Sequence, residues 1–127
     1  MNEVKKTILI VEDDSFVMDI YETKVLKEGF GVVKAVNGVE AMEKLEKDPA
    51  PDLILLDIVM PYMSGLEVLK KLKKDAKLSK IPVVLLTNLS QKEEIQEGFD
   101  LGAQDYLIKS HFTPTEVMEK INKYLNK

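Results

Sequence analysis

Cysteine, tryptophan and arginine are all absent from the 127 residues. Without cysteine there is neither a disulfide framework nor a thiolate metal site, so the redox state of the compartment stays unconstrained. No apolar run approaches the roughly 18 residues of a membrane span. The opening Met1-Asn2-Glu3-Val4-Lys5-Lys6-Thr7 carries an acid and leads into a short apolar run that stops at Glu12, which is not a signal peptide. A cytoplasmic protein is the expectation, with no membrane partner. Basic excess is missing too: the net charge is -4, which argues against direct nucleic-acid binding, because phosphate contacts want clustered Lys and Arg. What is present, 45% apolar and 31% charged residues, suits a single domain over residues 1–127 with a real core.

The organising stretch is Leu53-Ile54-Leu55-Leu56-Asp57-Ile58-Val59-Met60-Pro61. An unbroken apolar run of this length fits a strand buried on both faces, as in a parallel sheet covered by helices. A buried helix would also be apolar, but Pro51 and Pro61 leave too little length for one. Open parallel sheets bind ligands beyond the carboxyl ends of their strands, and Asp57 sits there. A carboxylate that merely caps the following turn is the simpler alternative.

Short apolar runs alternate with amphipathic stretches along the whole chain, the βα pattern of a parallel sheet. The spacing predicts strands at Ile8–Val11, Gly31–Val36, the central run, Val83–Leu86 and Ala103–Ile108. The first helix is expected from about Ser15 to Glu28, with Val17, Ile20, Tyr21 and Val25 inward and Gly29 as its stop. Asn37, Ser64, Ser90 and Thr113 each stand three residues before a Glu, the signature of a capped helix start. Pro114 occupies a first helical position, where its missing N–H costs nothing. Leu66, Leu69 and Leu72 make the third helix's core stripe, and Val117, Ile121 and Leu125 the fifth's. The sum is a three-layer α/β (βα)5 fold; spacing alone leaves the strand order open.

Polar residues gather at the strand ends. The first strand ends in Glu12-Asp13-Asp14, the third in Asp57, the fourth in Thr87-Asn88, and Lys109 follows the fifth. If the strands lie side by side, these groups converge on one edge. Glu12, Asp13 and Asp57 held together would repel one another. A hard divalent cation would relieve that, and all-oxygen ligands favour Mg²⁺ among the abundant ions. Thr87 adds a hydroxyl, and Lys109 a point charge able to meet a phosphoryl group. The pattern reads as an acidic Mg²⁺ pocket in which Asp57 is the nucleophile. His111, in a polar loop, reads as a surface residue, Met60 and Met63 as loop packing. Lys70 to Lys74 reads as a solvated helix-end charge run.

On these residues the chain resembles the receiver domain of bacterial two-component response regulators, nearest to the stand-alone, chemotaxis-regulator-like kind. Ile8-Leu9-Ile10-Val11-Glu12-Asp13-Asp14 is similar to the family's first strand and acidic pair. Asp57 falls on the phosphoacceptor, followed by Met60-Pro61 and Gly65. Thr87 matches the switch hydroxyl, Tyr106 the switch aromatic and Lys109 the family lysine. The resemblance implies a flavodoxin-like sheet of order 2-1-3-4-5, and Mg²⁺ held by Glu12, Asp13, Asp57 and the backbone carbonyl of Val59. It further implies transfer from a phosphohistidine and slow self-hydrolysis. Thr87 would turn toward the phosphoryl oxygen and Tyr106 would rotate inward, remodelling the surface of helix four, strand five and helix five. The implied partners are a sensor histidine kinase or phosphotransfer protein and a downstream protein target; a phosphorylation-dependent homodimer is compatible. Three departures stand out: Asn88 where a small residue is usual, Ser110 in place of a proline after the lysine, and apolar Val59 and Leu89 at positions that tune hydrolysis.

Two other functions use the same residues. A small Asp-dependent phosphatase would turn over free phosphate esters, although the chain is short for a substrate cap. A phosphorylation-independent interaction module would leave the pocket without Mg²⁺ affinity.

Overall fold

The computed structural model describes residues 5–47 and 49–125; the ends of the expected 1–127 domain, residues 1–4 and 126–127, lie outside them. Five strands alternate with five helices. They are β1 (Thr7–Val11), α1 (Ser15–Lys27), β2 (Gly31–Ala35), α2 (Gly38–Leu45), β3 (Leu53–Leu56), α3 (Gly65–Lys73), β4 (Val83–Thr87), α4 (Lys92–Asp100), β5 (Asp105–Ile108) and α5 (Pro114–Leu125). The strands form one parallel sheet in the order β2-β1-β3-β4-β5. That is the three-layer flavodoxin-like arrangement.

Successive residues of a strand face opposite sides of a sheet, so an unbroken apolar strand supplies two cores at once. Ile8, Ile10, Leu53, Leu55, Val84, Leu86 and Leu107 pack against α1 and α5 through Met18, Tyr21, Val25, Val117, Met118 and Ile121. Leu9, Val11, Ile54, Leu56, Val83, Leu85 and Tyr106 face the other helices, through Ala41, Leu45, Val68, Leu69 and Leu72. No residue from Leu53 to Leu56 is more than 2% exposed. Each such side chain stabilises the fold by about 1.5–3 kcal/mol relative to exposure.

The expected stripes hold with shifts. Leu69 and Leu72 are buried, whereas Leu66 is half-buried and Val68 takes its place. Likewise Met18 is buried while Val17 and Ile20 are only half-covered. Three of the four expected caps form. Asn37 accepts from Glu40 N–H at 2.8 Å, Ser64 from Glu67 N–H at 3.3 Å, and Thr113 from Glu116 N–H at 3.1 Å. The fourth is one residue late. Instead of Ser90 with Glu93, the N–H of Gln91 donates to Glu94 at 2.9 Å. Two consecutive glutamates make both registers available locally. Ile95 and Gly98 lie against the sheet.

Candidate functional site

The same alternation decides what reaches the carboxyl edge of the sheet. Continuing β1, β3 and β5 by one residue brings Glu12, Asp57 and Lys109 onto the α1/α5 side, in step with Ile10, Leu55 and Leu107. Asp57 N–H donates to the Val11 carbonyl at 3.1 Å, which fixes Asp57 beside the end of β1. Thr87 and Tyr106 fall on the opposite parity, with Leu85. The charged cluster and the Thr87–Tyr106 pair thus start from opposite faces of the sheet.

Lys109 ties the cluster together. Its Nζ lies 2.8 Å from Glu12 Oε1 and 2.9 Å from Asp57 Oδ2. Asp57 Oδ1 accepts from the N–H of Ile58 at 2.7 Å and that of Val59 at 3.4 Å. Glu12 Oε2 accepts from Asp14 N–H at 3.1 Å, and Asp14 Oδ1 caps α1 by accepting from Phe16 and Val17 N–H. Burial pushes the Glu12 carboxyl above its usual range, offset in part by the hydrogen bonds from Lys109 and Asp14. Burial works against the Lys109 ammonium, but its bonds to Asp57 and Glu12 outweigh it and its pKa is raised. Both groups are desolvated: the lysine's two bonds outweigh that cost, and the glutamate's do not.

Carboxylate oxygens of Glu12, Asp13 and Asp57 lie within 4.8 Å of one another, Asp13 exposed and the other two buried. Three carboxylates with one ammonium leave a surplus of negative charge, and the donors are all oxygen. That set fits a hard divalent cation.

Thr87 is fully buried at the end of β4, where its Oγ1 accepts from Leu89 N–H at 3.4 Å. Tyr106 is 8% exposed and already points inward, its hydroxyl donating to the Leu89 carbonyl at 2.8 Å. The peptide groups of one residue, Leu89, thus touch both Thr87 and Tyr106. Burial pushes the Tyr106 phenol up to about 12, with Glu94 and Asp57 adding to the shift. Gly98 makes room for this arrangement, since a Cβ there would lie 2.9 Å from Tyr106 Cδ2 and 2.8 Å from Leu85 Cδ1. Val59 is exposed and Leu89 half-buried; His111 is exposed, and Met60 and Met63 pack on the core's edge.

Sequence reasoning missed three contributors. Asp14, one residue before α1, carries the ordinary signature of a cap and was legible as one. Tyr21, expected only as core, lines a narrow cleft with Glu12 and Asp57; burial raises its phenol pKa, with Lys109 opposing and Glu12 reinforcing. Leu89's bridging role is carried by its backbone and leaves no mark in residue type.

The family model for the response regulator receiver domain matches residues 8–122. The chain belongs to that family. As a receiver domain it is 35% identical to the DNA-binding dual master transcriptional regulator RpaA of Synechocystis, over 94% of this chain and 49% of that protein. It spans about half the length of the curated relatives it matches. The structure of the Vibrio cholerae chemotaxis protein CheY4 superposes with a TM-score of 0.88 at 28% identity, covering 96% of this chain and 100% of that one. The Mn(2+)-bound form of response regulator Rcp1 superposes at 0.83 and 29% identity, over 93% of this chain and 92% of that one. A carboxylate cluster able to take a divalent metal and the phosphotransfer chemistry of receiver domains are thus joined in one pocket. Among the described residues no helix is long and apolar enough to cross a membrane.

Proposed function

We propose that the receiver domain is a phosphorylation-operated switch. A sensor histidine kinase or phosphotransfer protein presents a phosphohistidine, and Asp57 accepts its phosphoryl group. One observation carries this reading: Lys109 bridges Asp57 and Glu12 at hydrogen-bond distance, so the acceptor stands in a charged setting made for a phosphoryl oxygen. In the transfer an Asp57 carboxylate oxygen bonds to phosphorus as the P–N bond breaks. The electron pair stays on the departing imidazole, which takes up a proton. The Lys109 ammonium then shifts to a phosphoryl oxygen, stabilising the charge that develops there. Glu12, Asp13, Asp57 and the Val59 carbonyl would hold Mg²⁺, which would neutralise negative charge on the phosphoryl group.

Leu89 supports the reading of the switch. If Thr87 turns its hydroxyl toward the phosphoryl group, it lets go of Leu89 N–H, and the Leu89 carbonyl that holds Tyr106 responds with it. Phosphorylation then biases two packings of helix four, strand five and helix five. With Tyr106 already inward here, its effect is to hold that side chain rather than to carry it there.

The test is mass measurement before and after acetyl phosphate with Mg²⁺. The wild type is expected to gain one phosphoryl group and Asp57→Asn none. A gain that persists in the Asn variant assigns the chemistry elsewhere. That the receiver works by itself, in the chemotaxis-regulator-like manner, is also our proposal, supported by the superposition on CheY4. The half-length match to RpaA points the other way. The mass of the protein recovered from its own cells decides: a size near 14.4 kDa keeps the proposal, and about twice that ends it.

The phosphoryl lifetime follows from two side chains. Spontaneous hydrolysis needs water in line with the Asp57–phosphoryl bond, and Val59 and Leu89 can neither donate to nor orient it. Val59→Asn and Leu89→Glu are each expected to speed the decay several-fold, measured in excess Mg²⁺ with donor removed. Unchanged decay in the double variant would show that water access is not limiting.

A further inference from the structure

Tyr62 is the one non-glycine residue with a positive φ among the described residues, at 71°. Across it the Met63 N–H donates to the Pro61 carbonyl at 2.8 Å. A bond spanning a single residue at positive φ is the rarer, strained kind of γ-turn, and glycine or asparagine bears it far better than tyrosine. Neither flank is free to relax. Met63 is seated so tightly over Gly38 that a Cβ on the glycine would meet its carbonyl oxygen at 2.6 Å. Beyond it Ser64 and Glu67 cap α3, and Gly65 N–H donates to Ile58 at 2.8 Å. The fold gains nothing from the ring in return. Tyr62 is 86% exposed and makes no hydrogen bond or ring contact among the described residues.

A large side chain displayed at a cost to the fold points outward, to something that covers it. Phe16, at 73% exposed, and Val59, at 59%, stand on the same edge, in the segments that follow β1 and β3. Asp57 itself is 7% exposed and is reached from that edge. A protein that brings phosphorus within bonding distance of it must lie over these two segments.

We propose that Tyr62 is the apolar anchor for the protein that delivers the phosphoryl group, on a rim completed by Phe16 and Val59. This rests on the reading of Asp57 as acceptor from a phosphohistidine protein. Tyrosine gives a wide, stiff contact at little conformational cost, which suits the centre of an interface. A small donor such as acetyl phosphate has no body to lay against the rim and does not need it.

The experiment compares two donors on wild type, Tyr62→Asn and Tyr62→Phe. One is acetyl phosphate; the other is a panel of radiolabelled, autophosphorylated histidine-kinase cores. With every core that transfers to wild type, Tyr62→Asn is expected to lower kcat/KM about ten-fold or more, through KM. Tyr62→Phe should stay within about two-fold of wild type, since the ring is kept. Labelling by acetyl phosphate should be alike in all three proteins. Relief of the turn should let Tyr62→Asn melt a few degrees higher. Unchanged kinase transfer in Tyr62→Asn overturns the proposal and leaves the acceptor reading intact, as does a panel with no active core when acetyl phosphate still labels Asp57. A loss that acetyl phosphate shares, or a change in self-association at sizing, also overturns it. Wild type labelled by neither donor would instead end the acceptor reading.

Discussion

Gly65→Ala is expected to destabilise the domain by about 3 kcal/mol or more and to lower phosphorylation with it. A Cβ at this position would lie 2.1 Å from the Asp57 carbonyl oxygen, 2.8 Å from Ile58 Cα and 2.9 Å from the Asp57 carbonyl carbon. All three are backbone atoms, so no side chain can swing away. α3 is held at its start by the Ser64–Glu67 pair, and Gly65 N–H is bonded to Ile58. Relief must come from the helix or from the peptide of Asp57. Either motion pulls Asp57 out of reach of Lys109, so stability and labelling should fall together. Gly98→Ala is the control. Its new methyl meets the ends of Leu85 and Tyr106, which can give, so a loss nearer 1 kcal/mol is expected. Urea unfolding with an unchanged m-value reads both. A Gly65→Ala protein within about 1 kcal/mol of wild type would mean that the β3–α3 connection yields more easily than its contacts indicate.

Much of this architecture was legible because the strands are apolar at every position. An unbroken run such as Leu53 to Leu56 leaves no choice but burial on both faces, and that in turn demands helices on both sides. The acidic cluster was legible for a related reason: β1 and β3 each end in carboxylates where the apolar run stops. Strand order came from resemblance, since spacing carries no information about which strands are neighbours. The register of α4 went to the other of two adjacent glutamates, because local capping chemistry does not distinguish them. Tyr62 was invisible as well. Its φ is imposed by the anchoring of Gly38, Met63 and Gly65, contacts between segments distant in the chain, against its own preference. The inward Tyr106 likewise depends on Gly98 having no side chain.

Lys109→Met should cost about 2–3 kcal/mol at neutral pH, and both acid and Mg²⁺ should return part of it. Removing one partner of a buried ion pair typically costs about 3–5 kcal/mol, because the other charge stays buried. The lower figure applies here because Lys109 is 19% exposed and the cluster opens to solvent at exposed Asp13. Methionine keeps the stem's packing, so the loss is chiefly electrostatic. The sign with pH follows from Glu12. Burial already raises its pKa above the ordinary 4.5, and the bonds from Lys109 hold it down. Without them it rises further. A carboxyl whose folded pKa exceeds its unfolded value binds its proton more tightly in the fold, so stability falls as pH climbs from about 4.5 through the raised folded value. The deficit of Lys109→Met should therefore be smaller at about pH 5 than at about pH 7.5. A divalent cation replaces the missing ammonium, so the Mg²⁺-induced rise in melting temperature should be larger in the variant than in wild type. Melts at both pH values with and without Mg²⁺ measure all of this. A deficit equal at both pH values and indifferent to Mg²⁺ would mean that Lys109 is not what balances Glu12 and Asp57.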